Sequence, residues 1–393
     1  MKRRILFLEH STDGTVGGSH LCLLEICRHL DSDRFQAVVC FFESNTLVDD
    51  FRTAGAEVHV LDMPGNWLPP RILPGIVARG IGFSVNLVRA LFVRTALWMS
   101  LLRRLRIDIV HINNACGYDH DLMLASRLTR RPCLVHERGI QTQIGYRTRY
   151  FANRVNRILA ISDAVSDNLL NQGIRPERIV RIDDGIDASR FEQHESEAVI
   201  RERYGIEAGA PVIGIVGNIK RWKGQHVVVD AVGILMRTHP QLRCLFVGSI
   251  ADADYHQSLL SRARSAGVPE TSLVFTGYVP HPADLMRIMD IVLHASVEPE
   301  PFGIVLLEAM GCGRPLIATN IGGPKEIVVH GETGYLVRPG DHEELARAIA
   351  DLLGNPSAAL RMGEKAQVRY RQRYTIQANV AAIEREYDAV MRR

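Results

Sequence analysis

Two carboxylates with seven residues between them, Glu300 and Glu308, stand in the stretch Glu298-Pro-Glu-Pro-Phe-Gly-Ile-Val-Leu-Leu-Glu-Ala-Met-Gly-Cys-Gly313. The preceding run Ile291-Val-Leu-His294 reads as a buried strand, the Pro/Gly segment as a loop, and Ile304 to Met310 as the start of a helix. Gly303 and Ile304 then lie at a helix N-terminus, where unpaired N–H groups and the helix dipole favour a phosphate. Carboxylate oxygens accept paired hydrogen bonds from vicinal diols, so acids flanking an anion site suit a hydroxyl-rich ligand. For Glu308 alone, an early-helix acid that complements the dipole is the simpler reading.

A second stretch, Gly217-Asn218-Ile-Lys220-Arg221-Trp-Lys223-Gly224, places three cations in a turn after a strand. It matches neither G-x-G-x-x-G nor G-x-x-x-x-G-K-[ST], so neither a dinucleotide nor a P-loop label applies. Cations there can neutralise a diphosphate leaving group, and a solvated basic loop is the plain alternative. Asn320-Ile-Gly-Gly323-Pro-Lys-Glu326 is a further glycine pair at a strand end. In the first half, Gly17-Gly18-Ser19 offers backbone N–H groups, His111 and Asn113 end one strand candidate, and His136-Glu137-Arg138 ends another. Loops at the carboxyl ends of parallel strands are where such sheets bind ligands, although a lone histidine is more often structural.

The elements that must hold these residues occur twice. Arg4–Leu8 and Pro211–Val216 are short apolar runs, each followed by a glycine-containing loop and a helical pattern. Strand, turn and helix in that order open a doubly wound parallel sheet, and the restart near residue 211 predicts two such domains in tandem. Further apolar runs at 37–41, 58–61, 109–112, 133–135, 158–161 and 179–180 supply the first sheet. Those at 242–247, 273–275, 291–294, 315–318 and 334–337 supply the second. The expected division is residues 1–190 and 191–375, joined by a polar linker at 190–210, with a C-terminal helix at 376–393 packing back on the first domain.

Composition bounds the rest. The chain has 393 residues, 46% hydrophobic and 23% charged, which is globular and rules out disorder, collagen or coiled coil as a description of the whole. A net charge of +3 argues against a dedicated nucleic-acid binder. Seven scattered cysteines without a CxxC pair read as free thiols in a reducing compartment, not as a zinc site or disulfide framework. The apolar run Ile5–Leu8 is too short for a signal peptide, which predicts a cytoplasmic chain.

Residues 63–107 hold seven arginines (71, 79, 89, 94, 103, 104 and 106) and no acid. No run in it is long enough to span a membrane. On a helical wheel, Arg79, Arg89, Arg94, Arg103 and Arg104 share one half, while Ile81, Val88, Leu91, Phe92, Trp98, Met99 and Leu102 share the other. That is the pattern of an interfacial helix on anionic lipid, through residues 71–106, or of a helix packing its apolar face on the sheet. A second basic cluster, at 130–157, carries seven arginines against Glu137. Both readings allow a protein at the inner face of the membrane.

Taken together, the motifs resemble a retaining glycosyltransferase of family four in the GT-B superfamily, whose α/β fold has two facing Rossmann-like domains with parallel sheets and a cleft between them. The stretches that carry the likeness are GGSHLCLLEI, DIVHINN, LAISDAVSDNL, RIDDGID, GNIKRWKG, FTGYV, EPFGIVLLEAMGCGRPLIAT and NIGGPKEIVVHGETGYLV, in family order across nearly the whole chain. The resemblance implies an N-terminal acceptor-binding domain and a C-terminal domain for a nucleotide-sugar donor, a UDP-sugar first and a GDP-sugar next. It implies that Glu308 holds the donor ribose, that Glu300 contacts the transferred sugar, and that Lys223 pairs with the diphosphate. Backbone N–H groups at Phe302, Gly303 and Ile304 would assist. Gly17 and Gly18 would let a loop close over the phosphates, and Val279 beside Tyr278 would line the base pocket. His136 would stand near the acceptor, and His111 is a further catalytic candidate in the DIVHxH stretch, whose second histidine often lies near the donor sugar. The sequence departs from the family at Asn218, where arginine is usual and for which Lys220 or Arg221 would substitute, and at Asn113, where a second histidine is frequent.

The implied reaction is transfer of a sugar, with retention, to a hydroxyl of a glycan or lipid-linked acceptor in cell-surface polysaccharide or glycolipid synthesis. The diphosphate would leave, an oxocarbenium-like centre would form, and the hydroxyl would attack from the same face with the leaving phosphate as base. No Asp-x-Asp pair stands in a suitable loop, so no metal or other cofactor is expected. Rival readings are a nucleotide-sugar epimerase or a phosphorylase on the same fold, and a non-catalytic nucleotide-sugar-binding protein.

Overall fold

The computed structural model describes residues 2–10, 18–61 and 90–392. Their packing divides them into two units, one built from the chain up to Asp183 together with Asn379 onward, the other from Asp184–Ala378. Each is a parallel sheet with helices on its faces.

The first unit contains β1 (Arg3–Glu9), β2 (Phe35–Phe41), β3 (Glu57–Val60), β4 (Ile109–Ile112), β5 (Cys133–Glu137), β6 (Arg157–Ala160) and β7 (Ile179–Arg181). Their order is β3-β2-β1-β4-β5-β6-β7, every pairing parallel. Ile5 to Leu8, Val38 to Phe41 and Ile109 to Ile112 are buried without alternation, because helices cover both faces of the sheet. The C-terminal helix Ile376–Met391 belongs to this unit from Asn379 on. Tyr387, fully buried, meets Phe35 edge-on at 5.6 Å, and Arg157 pairs with Glu386 at 3.0 Å.

The second unit contains β8 (Val212–Val216), β9 (Arg243–Val247), β10 (Leu273–Gly277), β11 (Ile291–His294), β12 (Leu316–Thr319) and β13 (Gly334–Val337), in the order β10-β9-β8-β11-β12-β13. Its core joins Ile213, Ile215, Phe246, Leu293 and Ile317 to Val228, Val232, Ile349 and Leu352 of the flanking helices. Strand order reverses between β8 and β11, which makes their carboxyl ends the switch point of this sheet, where such folds bind ligands.

The segment expected as a linker is partly helical: a 3₁₀ turn covers Ala188–Phe191 and a helix covers Glu197–Arg203, with Ser196 capping it. All seven cysteines are buried free thiols. Of the basic stretch, residues 62–89 lie outside the described residues, which removes Arg71, Arg79, Arg89, Ile81 and Val88 from view. The helix Thr95–Arg104 buries Trp98, Leu101 and Leu102 against the helix His120–Leu128, while Phe92, Val93 and Leu97 are exposed. The apolar face is therefore shared between core and surface. Among the described residues, no helix is long and apolar enough to cross a membrane.

Candidate functional site

The loop leaving β8 runs Gly217–Gly224, tied back by Gly217 N–H to the Val247 carbonyl (2.8 Å) and by Ile219 N–H to Ser249 (2.9 Å). It ends in a 3₁₀ turn, Arg221–Lys223, before the helix Gln225–Leu235. The loop leaving β11 runs to Gly303, the N-cap of the helix Ile304–Gly311 at a φ of 113°, a conformation that glycine adopts without penalty. The two loops are stitched by Val297 N–H to the Trp222 carbonyl at 2.8 Å.

That stitching brings Lys223 to Glu300. Lys223 Nζ lies 2.9 Å from both carboxylate oxygens, and the two side chains are only 15% and 14% exposed. Glu300 Oε2 also accepts from His294 Nε2 at 2.7 Å and from Ser296 Oγ at 3.1 Å. Burial opposes ionisation of Glu300. The hydrogen bond and charge of His294, with those of Lys223, outweigh it and hold the carboxyl well below its usual range. The backbone here is clamped from the other side: Gly323 N–H donates to the Glu300 carbonyl at 2.8 Å. A Cβ on Gly322 would sit 2.3 Å from that same oxygen, so the Asn320–Gly323 motif is a support for the Glu300 loop.

Glu308 is buried one turn into the helix, with Arg190 Nη2 2.8 Å from Oε1. Burial pushes its carboxyl above the ordinary value, and the Arg190 guanidinium offsets this in part. Arg190 arrives because Phe191 packs its ring where a side chain on Gly311 would stand. Phe302 is buried with its ring edge-on to Tyr374 at 6.2 Å, which leaves its backbone, with Gly303 and Ile304, at the helix N-terminus. A lysine ammonium and the Glu300 carboxylate thus meet on the loops leaving β8 and β11, and the second of these loops leads into the helix that carries Glu308, an arrangement able to bind an anion and hydroxyls.

The family of glycosyl transferases group 1 matches residues 196–369, and the glycosyl transferase 4-like domain matches residues 17–185. The chain belongs to the group 1 glycosyltransferases. Its relatives include N-acetyl-alpha-D-glucosaminyl L-malate synthase of Bacillus anthracis, 26% identical over 74% of this chain and 77% of that protein. Glycogen synthase of Mycobacterium tuberculosis is 31% identical over 59% of this chain and 53% of its own. Among solved structures, Anabaena Alr3699/HepE in complex with UDP superposes with a TM-score of 0.82 at 27% identity, covering 99% of this chain and 100% of that one. The two-sheet architecture is that of the GT-B glycosyltransferases.

Within this glycosyltransferase, the other residues singled out by sequence are dispersed. Asn218 is exposed and contributes only its carbonyl, which accepts from Gln225 Nε2 at 3.1 Å. Arg221 turns away from Glu300, lying over the Tyr255 ring at 5.2 Å and 3.7 Å from Asp252. Val279 is half-buried in the loop after β10, beside the exposed Tyr278. In the first unit, Gly18 begins the helix Gly18–His29, where a Cβ would meet nothing within 4 Å among the described residues, and Gly17 lies outside them.

His111 and His136 lie in the sheet of the first unit. Both are fully buried on β4 and β5 with rings stacked at 5.5 Å. His111 Nδ1 lies 2.6 Å from Tyr387 Oη, and Arg138 Nη2 is 3.4 Å from His136 Nδ1. Burial, then the Arg138 charge, lowers both pKa values, that of His111 to about 3. Both are neutral buried groups, and His111 ties the C-terminal helix to the sheet through Tyr387. Conversely, Arg190, His294 and Ser296 were not anticipated. The signal for His294 was present, as a histidine closing the strand that carries Glu300. Arg190 had no local signal at all, since its contact spans over a hundred residues. Among the described residues no three His, Cys, Asp or Glu side chains cluster as ligands to one metal would.

Proposed function

We propose that this protein is a retaining, metal-independent glycosyltransferase that moves a sugar from a nucleotide-diphosphate sugar, a UDP-sugar first and a GDP-sugar next, to a hydroxyl of a glycan or lipid-linked acceptor. The observation that carries the reading is the Lys223–Glu300–His294 group beside the helix N-terminus at Gly303. Complexes of the Anabaena protein with UDP and with UDP-glucose, at 27% identity, support the choice of donor.

In this reading the ammonium of Lys223, with three donors, shares itself between Glu300 and the diphosphate and neutralises charge as the leaving group departs. The N–H groups at Gly303 and Ile304 add a second positive end. Glu300, kept ionised by its partners, accepts hydrogen bonds from hydroxyls of the transferred sugar and stabilises the oxocarbenium-like centre. Glu308, one oxygen on Arg190, presents the other to the ribose. Groups held by β-strand ends and each other do not reorganise during transfer, which is the source of the rate gain.

A place in surface polysaccharide or glycolipid synthesis at the inner face of a membrane is supported by the exposed Phe92 and Val93 of the segment Ala90–Arg94 and Leu97 of the helix after it, whose last turn carries Arg103 and Arg104. A thermal-shift panel of UDP-, GDP- and ADP-sugars tests the donor: at a hundred times its Kd a good donor stabilises by about 2.7 kcal/mol. Product anomeric configuration read by NMR, in buffer containing EDTA, tests retention and metal independence together. Inversion, or turnover abolished by EDTA and restored by magnesium, overturns those parts.

A further inference from the structure

The first unit has a switch point of its own, between the parallel neighbours β1 and β4. The chain leaves β1 into His10. His10 Nδ1 lies 3.0 and 3.1 Å from the two carboxylate oxygens of Asp119, whose side chain is 1% exposed. Tyr118 stacks on the His10 ring at 4.7 Å and 16°, and Phe42 meets it edge-on at 5.4 Å. Both hydrogen bonds of His10 among the described residues are at Nδ1, and its side chain is 25% exposed.

Asp119 does not behave as its position dictates. It is the N-cap of the helix His120–Leu128, yet its carboxylate caps no N–H, and its backbone is left-handed at φ 53°. An N-cap aspartate ordinarily stabilises its helix through that bond, and a non-glycine residue in the left-handed region is disfavoured. The fold forgoes both and turns the carboxylate onto His10 instead. Strain of this kind persists where the surroundings over-determine it, typically at functional sites.

The chemistry follows from the arrangement. A carboxylate on Nδ1 fixes the proton there, so neutral His10 presents Nε2 as a directional acceptor for a hydroxyl. Tyr118, 51% exposed, adds an aromatic plate of the kind that carries the apolar face of a sugar ring. We propose that His10, oriented by Asp119 and flanked by Tyr118, binds a hydroxyl of the saccharide acceptor. This deepens the reading above and rests on it. His10 and Tyr118 touch the acceptor; Asp119 is a positioning residue acting through His10.

Charged groups around the ring set its pH response. Burial opposes protonation, the Asp119 hydrogen bond and charge favour it, Arg94 opposes and Glu9 favours it, with the balance above the ordinary histidine value. Protonation turns Nε2 from acceptor to donor, so the hydroxyl must turn from donor to acceptor and saccharide affinity changes as pH falls through that value, its acid limb. Asp119→Asn removes the carboxylate's charge and moves this acid limb to lower pH.

The test uses the full-length protein and four probes: methyl α-D-glucopyranoside, methyl α-D-mannopyranoside, methyl β-D-galactopyranoside and methyl N-acetyl-β-D-glucosaminide. Saturation-transfer NMR across pH 5.5–8.5 is expected to show saturable binding of at least one. Its affinity should fall about fivefold or more in His10→Ala and in Tyr118→Ala, a surface substitution that leaves the fold in place, and the acid limb should shift in Asp119→Asn. UDP stabilisation, read in parallel by thermal shift, should be the same in wild type and all three variants. The proposal is overturned if no probe binds, if binding survives both His10→Ala and Tyr118→Ala, or if the acid limb ignores Asp119→Asn. Absence of any stabilisation by UDP or UDP-sugars would instead strike the donor reading, and the saccharide data would still decide this one.

Discussion

Lys223 and Glu300 form a pair whose coupling can be measured. In Lys223→Met the Glu300 carboxylate stays almost as buried as before and loses two 2.9 Å contacts to an ammonium, keeping only His294 and Ser296. Breaking a buried pair from one side costs about 3–5 kcal/mol. The residual exposure of about one-seventh on each side chain and the two surviving partners reduce this to about 2–3 kcal/mol. For a unit of this size that is a fall in Tm of about 4–12 °C. Glu300→Gln keeps an amide oxygen for the Lys223 ammonium, which also lies over the Trp222 ring at 4.3 Å, and should cost about 1 kcal/mol. The double variant should be no less stable than Lys223→Met, a coupling of about 1–2 kcal/mol. Because the Glu300 carboxyl is held low, the pair's contribution is fully present above the ordinary glutamate range and is lost only as pH falls toward the folded value. The wild-type advantage over Glu300→Gln should therefore collapse only at acid pH, below the ordinary glutamate range. Turnover should fall about a hundredfold or more in either single variant, as for loss of one preorganised charge contact. Additive losses of Tm, or near-normal turnover in Lys223→Met, would refute the reasoning.

Other consequences are testable in the same preparations. Arg190→Met leaves Glu308 buried without its cation, so its carboxyl, already raised, rises further; donor KM should increase about tenfold at pH 6.5 and less at pH 8.5, and a loss independent of pH in steady-state kinetics would contradict this. Tyr387→Phe removes the hydrogen bond to His111 and should lower stability by about 1 kcal/mol without changing kcat or the donor KM; a selective loss of turnover would return His111 to the reaction. At low salt the protein should sediment with vesicles containing anionic lipid and release at high salt, and Phe92→Ser should weaken the association; a protein that ignores such vesicles at low salt has no membrane surface in this segment.

The fold was legible because parallel sheets buried on both faces write unbroken apolar runs, and the strand-turn-helix restart at Val212 repeats the start at Arg3. Ile109–Ile112, Ile291–His294 and Gly334–Val337 have the bounds that their apolar runs prescribe. Glu300 and Lys223 were legible as chemistry because charges in glycine-rich loops at strand ends have few structural duties. What escaped was pairing over distance. Arg190 meets Glu308, and His111 meets Tyr387, across separations that no local pattern encodes. The two strand-end histidines looked like site residues for the same reason that Glu300 did, yet both rings are buried and His111 meets Tyr387 of the C-terminal helix. Arg221 sits in the right loop but on its far side, where Tyr255 and Asp252 hold it.

The most direct measurement is a crystal structure of the protein with UDP-glucose. The account predicts the diphosphate within hydrogen-bond distance of Lys223 Nζ and the Gly303–Ile304 amides, the hexose hydroxyls on Glu300, and the ribose on Glu308. A nucleotide bound elsewhere on the chain, with the Lys223–Glu300 pair untouched, would contradict it.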